Sequence, residues 1–478
     1  MKSYKYLFKN IGLLTLSSFA TKLLSFLLVP LYTNILSTTD FGIYDLFNTT
    51  IGVLIPILTL NIQEAVMRFA MDKKYDKMTV FLIGMKYFFI GTAVVLIGLT
   101  INFIFGFSNM VKEYGFFFFL MYISQSFSGV ILAYTRGIEH IAELSFSSVV
   151  NSLIVITCNI VFLSVFRWGL TGYFLANIIG FIFQNIYLLL KTKSICDICL
   201  LRKYSKYERE MLTYSKPMIA NSIAWWVNNV SDRYIVIYFC GLAENGIYSV
   251  ASKIPSILNV LQGIFSQAWT LSAVKDFDKE DKHGFFANTY KSYNCLLVII
   301  CSLIIVFDKI LARILYAKDF FEAWKYVPWL SIAIVFGALS GYIGGLFSAV
   351  KNSKIFAHST IIGAIANIIM NLIFTPIMGT LGAAIATTVC FFITWIFRYI
   401  HSKRIISTNI NIVRDVCSYI VLIVQSVIIL MVTNCFFMYS MQAILLMIII
   451  GLYINDFVLI VKKSMDIANT LIAKLSSH

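Results

Sequence analysis

The chain has 478 residues, of which 59% are hydrophobic and only 13% are charged. Apolar runs of about 20 residues recur along its whole length, which excludes a soluble globular domain and indicates a polytopic membrane protein. The formal net charge of +15 raises the question of nucleic-acid binding. The basic residues lie mostly in short segments between apolar runs, so we expect no nucleic-acid partner.

Windows of about 20 apolar residues, the length that crosses a hydrocarbon core of about 30 Å, predict an all-α fold with about fourteen transmembrane helices. In chain order the predicted helices are residues 11–36, 40–66, 79–103, 115–136, 144–166, 169–190, 213–240, 243–270, 288–311, 325–350, 355–378, 379–401, 412–436 and 438–462. Most Lys and Arg residues then lie on the side that both termini share. The positive-inside rule predicts that this side is the cytoplasm.

The longest loop on that side, Lys191 to Lys216, carries seven basic residues. Such a juxtamembrane run is typical of contact with anionic membrane lipids. The predicted loops on the opposite side are mostly very short.

An internal repeat is visible in the sequence. The tripeptide Gly-Ile-Tyr at residues 42–44 recurs at 246–248, an offset of 204, and residues 169–172 resemble residues 379–382. Both copies begin on the same side of the membrane, so they are parallel repeats of the kind that build transporters from two related halves. The predicted domains are an N-terminal six-helix lobe at 1–200, a C-terminal six-helix lobe at 201–405, and an additional helix pair with a cytoplasmic tail at 406–478.

Four basic residues lie within predicted transmembrane helices: Lys22, Lys86, Arg233 and Lys253. A charge at membrane depth costs roughly 2.5–3.5 kcal/mol, so such residues usually face a protein interior or a watery cavity and indicate function. Lys86 is close enough to a helix end to reach the interface. We expect the other three to line a hydrated passage that handles anions.

Polar residues follow one face of the first and seventh predicted helices. On the first helix they recur at spacings of three and four, and on the seventh they form two neighbouring stripes. The first helix carries Thr15, Ser18, Lys22 and Ser25; the seventh carries Asn221, Trp225, Asn228 and Asp232 beside Ser222, Asn229 and Arg233. The basic residues can form charge-assisted hydrogen bonds with an anion, and Trp225 offers an aromatic ring for stacking. The predicted substrate-binding residues are Lys22, Arg233, Lys253, Trp225 and Asn229.

Each of these cations has an alternative role, a permanent ion pair that holds helices together. The available acids are Asp45, Asp232 and Glu64. Asp45 could instead bind a coupling H+ or Na+, because a carboxylate in a desolvated cleft holds a proton more firmly. Asp232 and Arg233 are adjacent in sequence, so we expect separate partners for them.

Arg68 and Arg136 lie near predicted cytoplasmic helix ends. There they could recruit a lipid phosphate, although basic residues are expected at such ends for topology alone. Cys196 and Cys199 form a C-x-x-C, but no second pair accompanies it, and the His residues lack metal-ligand spacing. The sequence therefore predicts no cofactor and no metal site. It also lacks a phosphate-binding loop for ATP.

The segment 36–44, followed by the helix that ends at 63–69, resembles the first helical hairpin of Wzx-type polysaccharide flippases of the MOP exporter superfamily. Residues 231–236 and 245–254 are similar to the second-lobe signature of that family. The resemblance implies a transporter, not an enzyme. It would move undecaprenyl-pyrophosphate-linked oligosaccharide to the outer leaflet of a bacterial cytoplasmic membrane by alternating access, for O-antigen, capsule or a related polysaccharide. A polysaccharide polymerase and a chain-length regulator would then be its partners.

Three alternatives remain open at this point. A multidrug exporter of the same superfamily would favour an acidic, aromatic cavity, and a lipid II flippase would also suit fourteen helices. A membrane glycosyltransferase or glycan polymerase is disfavoured by the short outward loops, since catalytic groups are disproportionately carried by loops.

Overall fold

The computed structural model describes residues 2–192, 204–275, 278, 280–282, 284–350, 353–406, 410–456 and 458. Throughout these residues the regular secondary structure is helical, with seventeen α-helices, one π-helical segment and one 3-10 helix. Twelve membrane-spanning candidates are long and apolar enough to cross a bilayer. The predicted all-α, multi-pass membrane fold is therefore confirmed.

The chain divides into two compact units. The first, Met1–Ser249, contains the helices α1 (Lys2–Leu27), α2 (Val29–Ile35), α3 (Thr38–Leu58), α4 (Ile62–Ala70), α5 (Lys77–Phe105), α6 (Asn109–Gly137), α7 (Ile141–Asn159, continued by a π-helical segment at Ile160–Val165), α8 (Gly169–Thr192), α9 (Tyr204–Cys240) and most of α10 (Leu242–Ala251).

The second unit is Val250–His478. It contains the end of α10, then α11 (Ser256–Lys275), α12 (Phe285–Leu315), a 3-10 helix (Lys318–Lys325), α13 (Val327–Ala349), α14 (Ser353–Met378), α15 (Thr380–Ser402), α16 (Ile412–Met431) and α17 (Cys435–Leu452).

Three of the predicted long helices are each divided in two, and a proline lies at or near every break. Pro30 lies in the first turn of α2, directly after the break from α1. Pro56 precedes the turn between α3 and α4, where Leu60 and Asn61 have left-handed backbone angles. Pro255 closes the turn between α10 and α11. Proline removes a backbone donor and clashes with the preceding helical turn, which explains why the helices break there.

The predicted seventh and eighth transmembrane helices correspond to α9 and to α10 with α11. Neither is among the twelve candidate spans, because α9 carries the polar stripes described above and the eighth is interrupted at its proline turn. The count of fourteen therefore stays a prediction.

In the first unit, α1 packs along α7, and α9 packs against α3 and α4. One apolar cluster at one end of the unit includes Phe47, Tyr122 and Phe174. A second cluster, toward the other end, includes Phe81 and Met211. The compact unit thus includes α9, which the predicted lobe of 1–200 leaves out. That boundary comes from the repeat and stays a prediction.

In the second unit, α12 packs against α13, α16 and α17, and α15 packs against α13 and α14. The last two helices are hydrogen-bonded to α12 through buried side chains. Asn294 donates to the Tyr453 hydroxyl at 2.9 Å, and the Ser302 hydroxyl donates to Gln425 at 2.9 Å. The helix pair at the C-terminal end is therefore part of the packed core of this unit.

Candidate functional site

The two copies of the Gly-Ile-Tyr repeat pack against each other where α3 crosses the start of α10. A Cβ atom on Gly42 would come within 2.9 Å of the Leu242 carbonyl carbon, and one on Gly246 would come within 2.9 Å of the Thr38 carbonyl carbon. Thr38 and Leu242 are themselves 204 residues apart, the same offset as the glycines. The crossing is therefore nearly symmetric, and glycine at both positions lets the backbones touch.

Next to this crossing, Asp45 of α3 is buried and has three side-chain partners. It forms an ion pair with Arg233 of α9. It also accepts hydrogen bonds from Asn245 at 3.2 Å and from the Ser249 hydroxyl at 2.6 Å, both on α10. The cation and the two neutral donors compensate this buried carboxylate for the hydrogen bonds to water that it loses. The cluster joins three helices of the first unit.

Asp232 and Arg233 have separate partners, as their adjacency predicts. Asp232 accepts a hydrogen bond from the Tyr248 hydroxyl at 2.6 Å, whereas Arg233 pairs with Asp45. Arg233 therefore forms an ion pair in this structure, which is the alternative role considered for it from the sequence. A substrate-binding role for Arg233, and an ion-coupling role for Asp45 or Asp232, stay predictions.

A polar and aromatic surface runs along the exposed side of α9. Trp225 is 63% exposed, and Asn229, also exposed, donates to the Trp225 carbonyl at 2.7 Å. On the adjacent α3, the exposed Asn48 accepts a hydrogen bond from Gln125 at 3.1 Å. An exposed indole with an amide one helical turn away suits a sugar ring, which offers both apolar C–H groups and hydroxyls.

Beneath this surface, α9 is held to α3 by two side-chain contacts. The Trp226 indole donates to the Thr49 carbonyl at 3.1 Å, and the hydroxyls of Tyr234 and Thr50 lie 2.6 Å apart. These contacts fix the rotation of α9, so its exposed stripe keeps a defined direction.

Lys22 lies on an exposed polar stripe of α1. The more protected side of α1 consists of residues 17, 20, 21 and 24, together with residue 28 just after the helix. A second, apolar side consists of the exposed Leu16, Phe19, Leu23 and Leu27. Ser18, Lys22 and Ser25 form a third side, also exposed, so each side takes about a third of the helix circumference. Lys22 makes no ion pair within the described residues. Its ammonium thus lies apart from the apolar side that suits lipid.

Lys86 pairs with Glu208, at 2.7 Å, and Tyr87 donates to the same carboxylate at 2.7 Å. Burial acts to raise the pKa of Glu208, but the hydrogen bonds from Lys86 and Tyr87 and the lysine charge outweigh it. The pKa of this carboxyl is therefore below its usual value of 4.5. These contacts join the start of α9 to α5, so Lys86 links two helices of the first unit.

Arg68 and Arg136 are exposed at neighbouring helix ends. Each lies in the last turn of its helix, and α4 and α6 meet there closely enough that a Cβ on Gly137 would lie 2.8 Å from the Met67 carbonyl oxygen. Glu64 is half-buried on α4 and forms no ion pair among the described residues. Recruitment of a lipid phosphate by the two arginines stays a prediction.

Lys253 lies in the turn between α10 and α11, in the second unit, and is half-buried. The structure therefore places Lys22, Arg233, Trp225 and Asn229 in one unit and Lys253 in the other. Its predicted substrate contact is untested.

Two partners of Asp45 were missed by the sequence reasoning: Asn245 and Ser249. A signal for one of them was present, because Ser249 is the residue 204 positions after Asp45. The repeat therefore pairs an acid in one copy with a hydroxyl donor in the other. No group of three or more metal-ligating His, Cys, Asp or Glu side chains occurs among the described residues.

These helices define a class of protein, a polytopic membrane protein, and its fold is similar to that of solved membrane transporters and flippases. The structure aligns with "Lipid II flippase MurJ, inward closed conformation" at a TM-score of 0.69, covering 95% of this chain and 99% of that chain at 15% identity. It also aligns with an inward-facing multidrug resistance MATE family transporter of the MOP superfamily at a TM-score of 0.63, covering 82% and 95% at 12% identity.

The family follows from the sequence. Residues 7–270, more than half of the chain, match the model of the Polysacc_synt family, described as "Polysaccharide biosynthesis protein". The chain belongs to this family.

Two curated relatives are similar over part of their length. An uncharacterised membrane protein of Methanocaldococcus jannaschii is 25% identical over 263 residues, which are 49% of this chain and 50% of that protein. A probable low-salt glycan biosynthesis flippase of Haloferax volcanii is 24% identical over 191 residues, 39% of this chain and 40% of that protein. The chain thus matches half or less of the length of these relatives.

Proposed function

We propose that the chain is a flippase that moves lipid-linked oligosaccharides across a membrane for polysaccharide biosynthesis. The observation that carries this proposal is the family match over residues 7–270. A glycan biosynthesis flippase among the similar proteins and a MurJ-like fold support it.

The proposed substrate is an undecaprenyl-pyrophosphate-linked oligosaccharide, carried from the inner to the outer leaflet of a bacterial cytoplasmic membrane with both termini cytoplasmic. A pyrophosphate carries about two negative charges, and a lysine in a site poor in water binds it strongly. The exposed polar stripe of Lys22 and the exposed Trp225 offer such a substrate a cation and a ring-stacking surface.

In this proposal Arg233 contributes to the anion site only when its ion pair with Asp45 loosens. The pair is then part of the transport cycle, because exchange of one anionic partner for another costs less than exposing an unpaired guanidinium. Lys253 and Asn229 complete the proposed binding set, and Arg68 and Arg136 recruit the lipid phosphate.

Alternating access of the two lobes is the proposed mechanism, and glycans such as O-antigen or capsule are its proposed destination. A polysaccharide polymerase and a chain-length regulator are the proposed partners downstream.

The test is leaflet exchange in proteoliposomes that contain the purified full chain and a fluorescent undecaprenyl-pyrophosphate oligosaccharide. We expect the chain to expose the labelled lipid to an external glycan-specific probe, and Lys22→Ala to slow this at least tenfold. Loss of one charge-assisted hydrogen bond of about 1.5–3 kcal/mol gives a change of that order. The matched control is Lys282→Ala, because Lys282 lies on the surface and is 68% exposed.

Two parallel arms use lipid II and a cationic drug. Exchange of lipid II but not of the oligosaccharide would establish the lipid II alternative, for which the MurJ-like fold is the specific observation. Movement of the drug alone would establish the exporter alternative. Exchange of the oligosaccharide at an unchanged rate by Lys22→Ala would refute the anion site at Lys22.

A further inference from the structure

A buried acid in the second unit has no role in the site described above. Asp308 of α12 is fully buried, and neither of its carboxyl oxygens has a hydrogen-bond partner among the described residues. The neighbouring Lys309 does not pair with it. Its ammonium lies 4.3 Å from the ring centre of Trp324 and 3.5 Å from the sulfur of Met438.

A carboxylate in this position would be a bare charge in an apolar interior. An ionised carboxyl buried without donors is so costly that the group takes up a proton instead. An ionisable residue inside a membrane helix is by default a candidate functional site. By contrast, Asp45 already has three partners that stabilise its charged form.

A metal cation does not suit Asp308. Hard cations require several oxygen ligands arranged around them, and Asp308 belongs to no group of three or more His, Cys, Asp or Glu side chains among the described residues that could hold a metal ion. The ligand that matches a single unpartnered carboxyl is a proton.

The charged and titratable groups near this end lie on α12 and on the elements packed against it. They are Cys301, Lys309, Arg313, Tyr316, Lys318, Asp319, Glu322, Lys325, Tyr326, Cys435 and Tyr439. The facing part of α16, residues 422–431, and the first half of α13, residues 327–338, contain no titratable side chain. Tyr342 of α13 lies toward the opposite end, where its hydroxyl donates to the Phe286 carbonyl at 2.7 Å.

Further polar groups continue from Asp308 along the contact of α12 with α16 and α17. Ser302 donates to Gln425, and Gln442 donates to the Gln425 carbonyl at 2.8 Å. The Gln425 amide nitrogen and the Gln442 amide oxygen are buried without hydrogen-bond partners among the described residues.

At the far end of this contact is a second buried acid, Asp415. Tyr419 donates to Asn294 at 3.1 Å, and Tyr453 donates to Asp415 at 2.9 Å. Beside Asp415, Arg414 and Asp456 form a partly exposed ion pair. From Asn294 to Asp308 the helix rises about 21 Å at 1.5 Å per residue, so polar groups accompany much of the membrane-spanning length of α12.

We propose that Asp308 is a proton-binding site that exchanges its proton along the α12–α16–α17 contact, and that this site couples transport to a proton gradient. The coupling role rests on the proposed function, whereas the proton site does not. In each cycle a proton joins the carboxylate to give the neutral acid and later leaves to the opposite side of the membrane. Loss of the proton would leave a negative charge on Asp308. This charge would attract Lys309 or water and change the packing of α17.

The proton site is tested on the purified full chain in vesicles, without substrate. Infrared difference spectra between wild type and Asp308→Asn should show the carbonyl band of a protonated carboxylic acid in the wild type. Dicyclohexylcarbodiimide, which modifies protonated carboxyls in apolar surroundings, should label Asp308 at neutral pH, and the label should decline as the pH rises. Glu322→Gln, at an exposed surface pair, is the matched control and should keep both signals. A spectrum without a protonated carboxyl that depends on Asp308 would overturn the proton site.

Coupling is tested in the same vesicles with an imposed pH difference. For one coupled proton, a difference of one pH unit supplies about 1.36 kcal/mol, which corresponds to a tenfold change in substrate accumulation. We expect the pH difference to change wild-type accumulation of the lipid-linked oligosaccharide by up to that factor. Asp308→Asn should lose this response but still exchange the substrate down its gradient. Asp308→Glu should keep the response. An unchanged response in Asp308→Asn would refute coupling at this residue. Failure of the wild type to move substrate at all would contradict the proposed function, while the spectra would still decide the proton site.

Discussion

At the scale of single residues, the chain balances its buried charges in different ways. Asp45 is paired with Arg233 and receives two further hydrogen bonds, whereas Asp308 has no partner among the described residues. Lys22 is exposed on a polar stripe. Side chains of the same type therefore serve different purposes. The number of hydrogen-bond donors and acceptors within reach of a side chain decides whether it can carry a charge at that position.

The Asp45–Arg233 pair makes a prediction about stability. Arg233→Leu leaves a buried carboxylate with only neutral donors and should lower the free energy of unfolding by about 3–5 kcal/mol. The double variant Asp45→Asn, Arg233→Leu should lose clearly less, because no unpaired charge remains. The measurement is the unfolding midpoint of the purified protein in detergent.

The control for this cycle is Lys282→Leu, which removes one partner of a pair whose members are both 68% exposed. It should change stability by no more than about 1 kcal/mol. Strictly additive losses from Asp45→Asn and Arg233→Leu would show that the two residues are not coupled.

At the scale of helices, close packing decides where polar residues can meet. The crossing of α3 and α10 brings Asp45 beside Asn245 and Ser249 only because Gly42 and Gly246 have no side chains. The chain also breaks near three prolines, between α1 and α2, between α3 and α4, and between α10 and α11.

Gly42→Ala tests this crossing. The added methyl group meets the backbone of α10 rather than a flexible side chain, so we expect a loss of about 1–3 kcal/mol from overpacking. Gly98→Ala is the matched control, since a Cβ there has no neighbour within 4 Å, and it should raise stability by up to about 1 kcal/mol through helix propensity. Equal effects of both substitutions on the unfolding midpoint would argue against a tight crossing.

At the scale of the whole molecule, the number of membrane passes depends on α9 and on α10 with α11. Among the described residues, twelve spans are apolar enough by themselves. The predicted seventh helix, α9, carries polar residues and packs on α3 and α4, and the predicted eighth is interrupted at its proline turn.

Accessibility labelling measures this topology. If α9 crosses the membrane, Ala243→Cys in a cysteine-free chain should react with an impermeant maleimide added outside intact cells, because Ala243 follows the turn between α9 and α10. Lys73→Cys, between α4 and α5, should react only after the membrane is permeabilised, since we predict that this loop is cytoplasmic. Labelling of Ala243→Cys only from inside would contradict fourteen passes.

Composition and hydropathy by themselves determined the membrane class, the all-α fold and the approximate helix positions, because a bilayer imposes a length and an apolar character that can be read one residue at a time. The spacing of polar residues also identified Arg233 and Trp225 as residues of interest, and Asp45 was named as an acid available to pair with a cation.

Which of these residues meet was decided only by the tertiary structure. The ion pair of Asp45 with Arg233 and its bonds to Asn245 and Ser249 depend on distances between helices far apart in sequence. The same is true of Asp308, which has no hydrogen-bond partner in the part of the chain that the structure describes. Helical periodicity gives the face on which a side chain lies but not the helix that covers that face. The partners of a buried charge are therefore fixed by packing, and the sequence alone could name only the candidates.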